Sequence, residues 1–72
     1  MADFELRKDN KDQWYWTFQA DNNKTIARSS ESYFNRKDCI HSISLVKDLA
    51  PTCTVWDMTK SPIQTVPASE VR

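Results

Sequence analysis

Four residues carry side chains that commonly bind metal ions, namely Cys39, His41, Cys53 and Asp57. A zinc site needs three or four such ligands that converge on one point. Cys39 and His41 are two residues apart in a predicted helix, so their side chains point about 200° apart and cannot share an ion within one chain. We therefore expect a buried thiol at Cys39, a solvent-facing imidazole at His41, and no metal or other cofactor.

Nucleophilic catalysis would require a base beside a serine or a cysteine. The single histidine, His41, is predicted to point away from the core, and the serines of residues 29–32 fit loop hydrogen bonding and capping better than catalysis. The chain contains no glycine, which excludes a glycine-rich phosphate loop. These observations predict that the protein is not an enzyme.

Outward-facing aromatic side chains remain as candidates for function. Tyr15 and Trp56 are predicted on the open face of a sheet, where aromatic rings can stack on bases. Basic residues that could contact phosphates are Lys24, Arg28, Arg36 and Lys37. The ten basic residues are balanced by ten acidic ones, which gives no general attraction to nucleic acid. Ordinary cross-strand packing is the favoured interpretation, with weak binding of single-stranded nucleic acid as the alternative.

The strand that positions these side chains is the stretch QWYWTFQA, residues 13–20. Its alternation places Trp14, Trp16, Phe18 and Ala20 on one side and Tyr15 on the other, as in a strand with one buried face. Residues 3–9 alternate in the same way. A third strand is predicted at residues 24–28, and short Asn- and Asp-rich turns join the three into an antiparallel meander.

The buried strand face needs a cover, which the sequence predicts as a helix over residues 36–49 with Asn35 as the N-cap. Steps of 100° place Cys39, Ile43, Val46 and Ala50 on one apolar stripe. Leu45 and Leu49 form a second, smaller apolar ridge. Pro51 ends the helix.

A final strand is predicted at residues 52–58, with Cys53 and Val55 opposed to Trp56 and Met58. Ile26 is predicted to be the apolar anchor of the third strand. Residues 60–72 show no periodicity and are expected to form a disordered tail, which leaves residues 1–59 as the folded domain.

Seventy-two residues make one small domain that is marginally stable without help from a disulfide, a metal or a second subunit. Two cysteines without a signal-peptide pattern suggest free thiols at Cys39 and Cys53 and a cytoplasmic location. No apolar run is long enough to span a bilayer, so no membrane contact is expected.

The order β-β-β-α-β resembles the YegP-like bacterial domain of unknown function over about residues 3–59. The residues that carry the resemblance are Ile26, Ala27, Ser30, Glu31, Tyr33, Cys39, Ile43, Val46, Lys47, Ala50 and Val55. The resemblance implies an α+β homodimer with one continuous antiparallel sheet, helices on one face, and exchanged C-terminal strands, residues 52–58. It implies no catalytic residues. Ser32, Ser42 and the Asn22-Asn23 turn occupy positions that are commonly glycine in that family.

The sequence therefore predicts a small non-enzymatic homodimer that acts as a binding or protein-interaction module. A protein partner that docks on Leu45 and Leu49 stays open beside helix-to-helix packing of this ridge. The candidate interaction surface consists of Tyr15, Trp56, Arg28, Arg36, Lys37, Leu45 and Leu49.

Overall fold

The structure is a computed structural model that describes residues 1–71. Its elements are strand β1 (Asp3–Lys8), strand β2 (Trp14–Gln19), strand β3 (Thr25–Arg28), helix α1 (Arg36–Leu49), a 3₁₀ turn (Ala50–Thr52), strand β4 (Trp56–Asp57) and strand β5 (Gln64–Thr65). The first three strands form an antiparallel sheet in the order β1-β2-β3, and the last two form a separate pair. The predicted α+β class is confirmed.

The two turns of the meander form without glycine. Asp12 and Asn23 have φ angles of 63° and 65°, in the left-handed region that Asn and Asp tolerate better than most residues. Each residue donates its backbone N–H back across its turn, to Asp9 at 3.1 Å and to Ala20 at 2.9 Å. Ser32 has no positive φ. The departures from glycine at these positions are therefore accommodated by Asn23 and not by a strained serine.

The side chain of Asp9 fastens the first turn to the loop before the helix. One carboxylate oxygen accepts the backbone N–H groups of Lys11 at 2.9 Å and Gln13 at 3.0 Å, and the other accepts the Ser32 hydroxyl at 3.1 Å. The bond from the Gln13 N–H contributes most to lowering the pKa of Asp9, partial desolvation opposes it, and the other two bonds add to the lowering. Asp9 thus stabilises the fold in its charged form.

The core lies where β2 meets α1. Trp16 is 6% exposed, Cys39 is fully buried, and the Phe4 ring packs edge-on against Trp16 with 5.2 Å between centroids. The Trp16 indole N–H donates to the Ser42 hydroxyl at 2.8 Å, and that hydroxyl donates to the Cys39 carbonyl at 2.7 Å. The prediction that Trp16 lies beneath the helix is confirmed.

The predicted role of Ile26 is wrong, because the pairing of β3 with β2 is irregular. Phe18 pairs with Ala27 and Gln19 pairs with Thr25, which leaves Ile26 as an extra residue without a partner. Ile26 is 61% exposed. Ala27 lies on the helix side of the strand in its place.

Helix α1 has the predicted bounds, but its apolar stripe is only half covered. Asn35 is the N-cap residue with extended backbone, yet its side chain makes no capping bond and donates instead to Asp38 at 3.4 Å. Cys39 in the first half of α1 is buried, whereas Val46 in the second half is 38% exposed. The C-terminal half of the helix therefore stands over the sheet without closing on it.

The C-terminal segment differs from its prediction as a single strand over residues 52–58. Ala50–Thr52 continue the chain as a 3₁₀ turn, closed by the Cys53 N–H on the Ala50 carbonyl at 3.2 Å, so the strand is shortened to Trp56–Asp57. Its partner is β5, which comes from the segment expected to be a disordered tail. Backbone pairing across the six-residue loop decides this, because β5 has no periodic pattern of its own.

The described residues form an elongated particle of 42 × 27 × 21 Å. Its radius of gyration is 15.0 Å, against about 11 Å for a compact domain of this length. Within residues 1–71, neither β4 nor β5 packs on the meander or on α1. We call residues 53–71 the C-terminal arm. No helix among these residues has the length and apolar character needed to cross a membrane.

Replacement of Asp9 by Asn should reduce the dependence of stability on acid pH. The pKa of Asp9 is lower in the folded chain than the usual value near 4, so its contribution is present above that value and is lost as pH falls through the folded pKa. Urea unfolding at pH 7 and pH 3 checks this: D9N should unfold more easily than wild type at pH 7, and the gap should shrink at pH 3. A gap that stays constant with pH would contradict the charged role of Asp9.

Replacement of Trp16 by Phe should lower the free energy of unfolding by about 1–3 kcal/mol, because it removes the indole donor and some buried volume. Ser42→Ala should cost about 1 kcal/mol. Since the two side chains share one hydrogen bond, the double variant should be less destabilised than the sum of the two by about 0.5–1.5 kcal/mol in urea titrations. Strictly additive losses would show that the bond adds nothing.

Candidate functional site

An apolar cleft opens between the sheet and the C-terminal half of α1, with a cavity volume of about 240 Å³. Its lining residues are Phe4, Trp16, Phe18, Ala27, Val46, Lys47, Ala50 and Pro51. Phe4 and Phe18 form its floor, with ring centroids 4.7 Å apart. The small side chains of Ala27 and Ala50 leave the opening unfilled. We call this space the apolar cleft.

The chemistry of the apolar cleft suits an apolar side chain. Lys47 is the one polar residue in its lining, so the cleft offers few groups that would orient a substrate or a cofactor. Small-molecule pockets are typically about 300–1,000 Å³ and contain several placed polar groups. The apolar cleft falls below that range and lacks those groups.

The C-terminal arm exposes its own apolar side chains. Val55, Trp56, Met58 and Ile63 are each between 44% and 70% exposed. A second cavity of about 330 Å³ lies where the end of the arm folds back on its start, and the Val66 N–H donates to the Val55 carbonyl at 2.8 Å. The arm is therefore ordered against itself while its apolar surface faces solvent.

The open face of the meander is covered by polar contacts. The Arg28 guanidinium lies over the Tyr15 ring, 4.3 Å from its centroid. Arg7 donates to the Thr17 hydroxyl at 3.3 Å and pairs with Glu5, which also accepts from Gln19 at 3.4 Å. The Tyr15 ring is thus stacked against Arg28 and is not a free platform for a base.

Of the predicted aromatic and basic residues, the structure brings Tyr15 and Arg28 together and leaves the others apart. Trp56 lies in β4, in a sheet separate from the one that holds Tyr15. Arg36 begins α1 and lies 6.0 Å from the Trp14 ring, on the helix side of the sheet, and Lys37 is exposed beside it. The predicted nucleic-acid surface is therefore divided among three parts of the molecule.

Leu45 and Leu49 form the exposed ridge that their spacing predicted. They are 45% and 57% exposed and lie one turn apart on α1. His41 precedes Leu45 by one turn and is also exposed. This ridge has no cover within the described residues.

The candidate metal ligands lie in different environments. Burial raises the pKa of the Cys39 thiol, which disfavours the reactive thiolate. Cys53 is exposed, and its thiol contacts the Leu49 carbonyl at 2.9 Å. Hydrogen bonds from Thr59, its side chain first, lower the pKa of Asp57 in the arm. Within residues 1–71, no three His, Cys, Asp or Glu residues gather where they could hold an ion.

Sequence reasoning missed the apolar cleft although it named most of its lining. The alternating strand and the helical stripe identified which residues face each other. The alanines at positions 27 and 50 were the available signal, since small residues on facing surfaces leave a gap that something else must fill.

Comparison with known proteins places this fold among domains without an assigned activity. Residues 9–57, more than half of the chain, match the model of the family described as a domain of unknown function, DUF1508. A solved structure, described as the NMR solution structure of the protein from Haloferax volcanii, is 32% identical and superposes with a TM-score of 0.73 over 78% of this chain and 93% of its own. That organism is an archaeon, so the likeness extends beyond bacteria. No curated protein matches the sequence.

The geometry of the open face predicts that single-stranded nucleic acid does not bind with salt-dependent affinity. Phosphate contacts would make binding weaken as salt rises, but Arg28 is engaged by Tyr15 and Trp56 lies in a separate sheet. Fluorescence anisotropy of a labelled oligonucleotide at 20 mM and 300 mM salt, at concentrations up to about 100 µM protein, should show no binding at either. Binding at low salt that is lost in the Arg28→Gln variant would overturn this expectation.

Proposed function

Because the chain belongs to the family described as a domain of unknown function, DUF1508, whose description assigns no chemistry, we propose that it is a small non-enzymatic binding module that works as a homodimer. In this proposal each copy places its C-terminal arm on the apolar cleft of the other. The narrower YegP-like assignment and a cytoplasmic location, where Cys39 and Cys53 would stay reduced, belong to the same proposal.

The observation that carries this proposal is the pair of unpartnered apolar surfaces on one chain. The apolar cleft has an almost wholly apolar lining and is open. The C-terminal arm exposes Trp56 and Met58, and within the described residues its strands β4 and β5 pack on neither the meander nor α1. A small domain seldom leaves two such surfaces in water when joining them removes both.

The connection between helix and arm favours exchange between copies. Beyond the 3₁₀ turn Ala50–Thr52, strands β4 and β5 do not pack on the meander of their own chain, and Pro51 restricts the backbone at this turn. A second copy supplies the same arm from the opposite direction, which leaves the turn unchanged. Exchange of identical elements is a common route to a dimer because each contact of the exchanged element is made twice.

The sheet edges support the same arrangement. Strands β1 and β3 are both edge strands of the meander, with unpaired backbone donors and acceptors. A strand of the partner's arm placed along one of them would extend the sheet and satisfy these groups. This is the continuous sheet that the family resemblance implies.

The absence of an enzymatic role is supported by the state of the reactive side chains. The Cys39 thiol is buried with a raised pKa, and the Ser42 hydroxyl is bonded to the Trp16 indole N–H and to the Cys39 carbonyl. Neither arrangement activates a nucleophile, which would need an adjacent base. Binding is the class of function that remains for these surfaces.

Substitution of exposed apolar residues of the arm by polar ones tests the dimer. Wild type should sediment with twice the 8.4 kDa mass of one chain. Replacement of both Trp56 and Met58 by Ser should weaken dimerisation at least 100-fold, because it removes two large side chains from a buried contact. Sedimentation equilibrium over a concentration series gives the dissociation constants.

Phe34→Ser is the matched control, since Phe34 is also an exposed large apolar side chain but lies before α1, outside the arm and the apolar cleft. This variant should dimerise as wild type does. A chain cut after Pro51 should lose its partner and part of its stability. A wild-type chain that stays monomeric at 100 µM, or a truncated chain that stays dimeric, would refute the proposed exchange.

A further inference from the structure

We propose that the two copies also pack α1 against α1, antiparallel, about a two-fold axis beside Leu45, so that His41 of each copy faces the partner's Asp48. This inference rests on the proposed homodimer and assigns its second contact. The residues involved are His41, Leu45, Asp48 and Leu49, which we call the helix ridge. Its consequence is a dimer that tightens as the imidazoles gain protons.

The helix ridge lies to one side of the buried face of α1. At 100° per residue, Leu45 lies about 120° around the helix from Cys39, which is fully buried. The helix ridge therefore faces sideways along the sheet surface, not directly into solvent above it. A second helix in the same layer can reach it without displacing the sheet.

The helix ridge is continuous with the apolar cleft. Val46 lines the cleft and lies about 100° around the helix from Leu45, at the edge of the apolar stripe that is nearer to the ridge. Val46, Leu45 and Leu49 together make one exposed apolar strip. A copy whose arm covers the cleft is thus placed to cover the ridge as well.

The symmetry of an antiparallel helix pair determines which residues of the two ridges face each other. A two-fold axis perpendicular to both helices reverses position along the helix but keeps the side of the contact. His41 lies about 6 Å before Leu45 and about 40° to one side, and Asp48 lies about 4.5 Å after Leu45 and about 60° to that same side. The axis therefore brings His41 opposite the partner's Asp48 and Leu45 opposite the partner's Leu45.

The charges select this orientation over a parallel one. A parallel pair, related by an axis along the helices, would place Asp48 across from the partner's Leu49 and leave the carboxylate without a charged partner. The antiparallel pair joins an imidazole to a carboxylate twice. The charge complementarity of the helix ridge with itself is the reason to assign a second copy, and not another protein, as its occupant.

The groups that face His41 can be named from the helix and its proposed partner. Lys37 and Asp38 lie one turn before it on its own helix, and their opposite charges largely offset. No strand of its own chain packs on this side within residues 1–71, since the side chain is exposed. The partner contributes Asp48, which is the group that distinguishes the dimer from the monomer.

The pH dependence follows from this pairing. Imidazoles generally gain a proton between about pH 8 and pH 5.5 while carboxylates stay charged. An exposed ion pair favours association by a factor of about 1.5 to 5, and the dimer contains two of them. The dissociation constant should therefore fall roughly 2- to 25-fold from pH 8 to pH 5.5.

Symmetric cross-linking tests the axis directly. In full-length protein with Cys53→Ser, which removes the exposed thiol, Leu45→Cys should form a disulfide-linked dimer under mild oxidation because the position faces itself. Lys37→Cys, on the same helix but about 12 Å before Leu45, would lie about 24 Å along the axis from its copy, so it is the control and should not cross-link. Failure of L45C to cross-link in a chain that sediments as a dimer would overturn the helix contact and leave the arm exchange intact.

Sedimentation at pH 8 and pH 5.5 tests the charged pair. His41→Gln and Asp48→Asn should each abolish the pH dependence of the dissociation constant, while Glu31→Gln, which removes a carboxylate outside the ridge, should preserve it. A wild-type dimer whose dissociation constant is the same at both pH values would overturn the His41–Asp48 pairing. A wild-type chain that is monomeric throughout would overturn both this inference and the proposed dimer.

Discussion

The contact between Trp16 and the first half of α1 is the interaction on which the rest of the structure depends. The indole ring fills the space beneath the helix, and its N–H is bonded to Ser42, which in turn is bonded to the Cys39 carbonyl. A buried indole without a partner for its N–H would cost stability, so this chain of bonds allows a large aromatic residue to be used as the core. It also fixes the rotation of α1, and with it the direction of every other helical side chain.

The contact between Trp16 and α1 covers only the first half of the helix. This explains why apolar surfaces stay exposed elsewhere in the molecule. The contact holds the helix firmly at Cys39 and leaves Val46 and Leu49 exposed at the other end. The sheet continues under the C-terminal half of α1, but the small side chains of Ala27 and Ala50 leave the space between them unfilled. The apolar cleft, the helix ridge and the C-terminal arm are all apolar surfaces that this chain leaves uncovered. A second copy would cover them.

The polar side of the sheet behaves in the opposite way. Arg28 lies over the Tyr15 ring, and Arg7 donates a hydrogen bond to the Thr17 hydroxyl. Cross-strand contacts of this kind stabilise a sheet whose other face carries the core. The surfaces that lack packing partners are therefore the apolar ones on the helix side. A binding function is expected there and not on the open face.

Much of the fold follows from local pattern. Alternation over β1 and β2, and the helix between Asn35 and Pro51, are properties of adjacent residues, so the sequence alone determined these elements and the side of β2 that is buried. Of the candidate site, the exposure of Leu45 and Leu49 followed from helical spacing, and the separation of Cys39 from His41 did as well.

Tertiary structure alone decided the bulge that expels Ile26, the pairing of β4 with β5, the stacking of Arg28 on Tyr15 and the opening of the apolar cleft. Each of these depends on which residue of another segment lies opposite, in what register, and on how far two surfaces stand apart. Periodicity reports the direction of a side chain along its own element and contains no information about its partner across the gap.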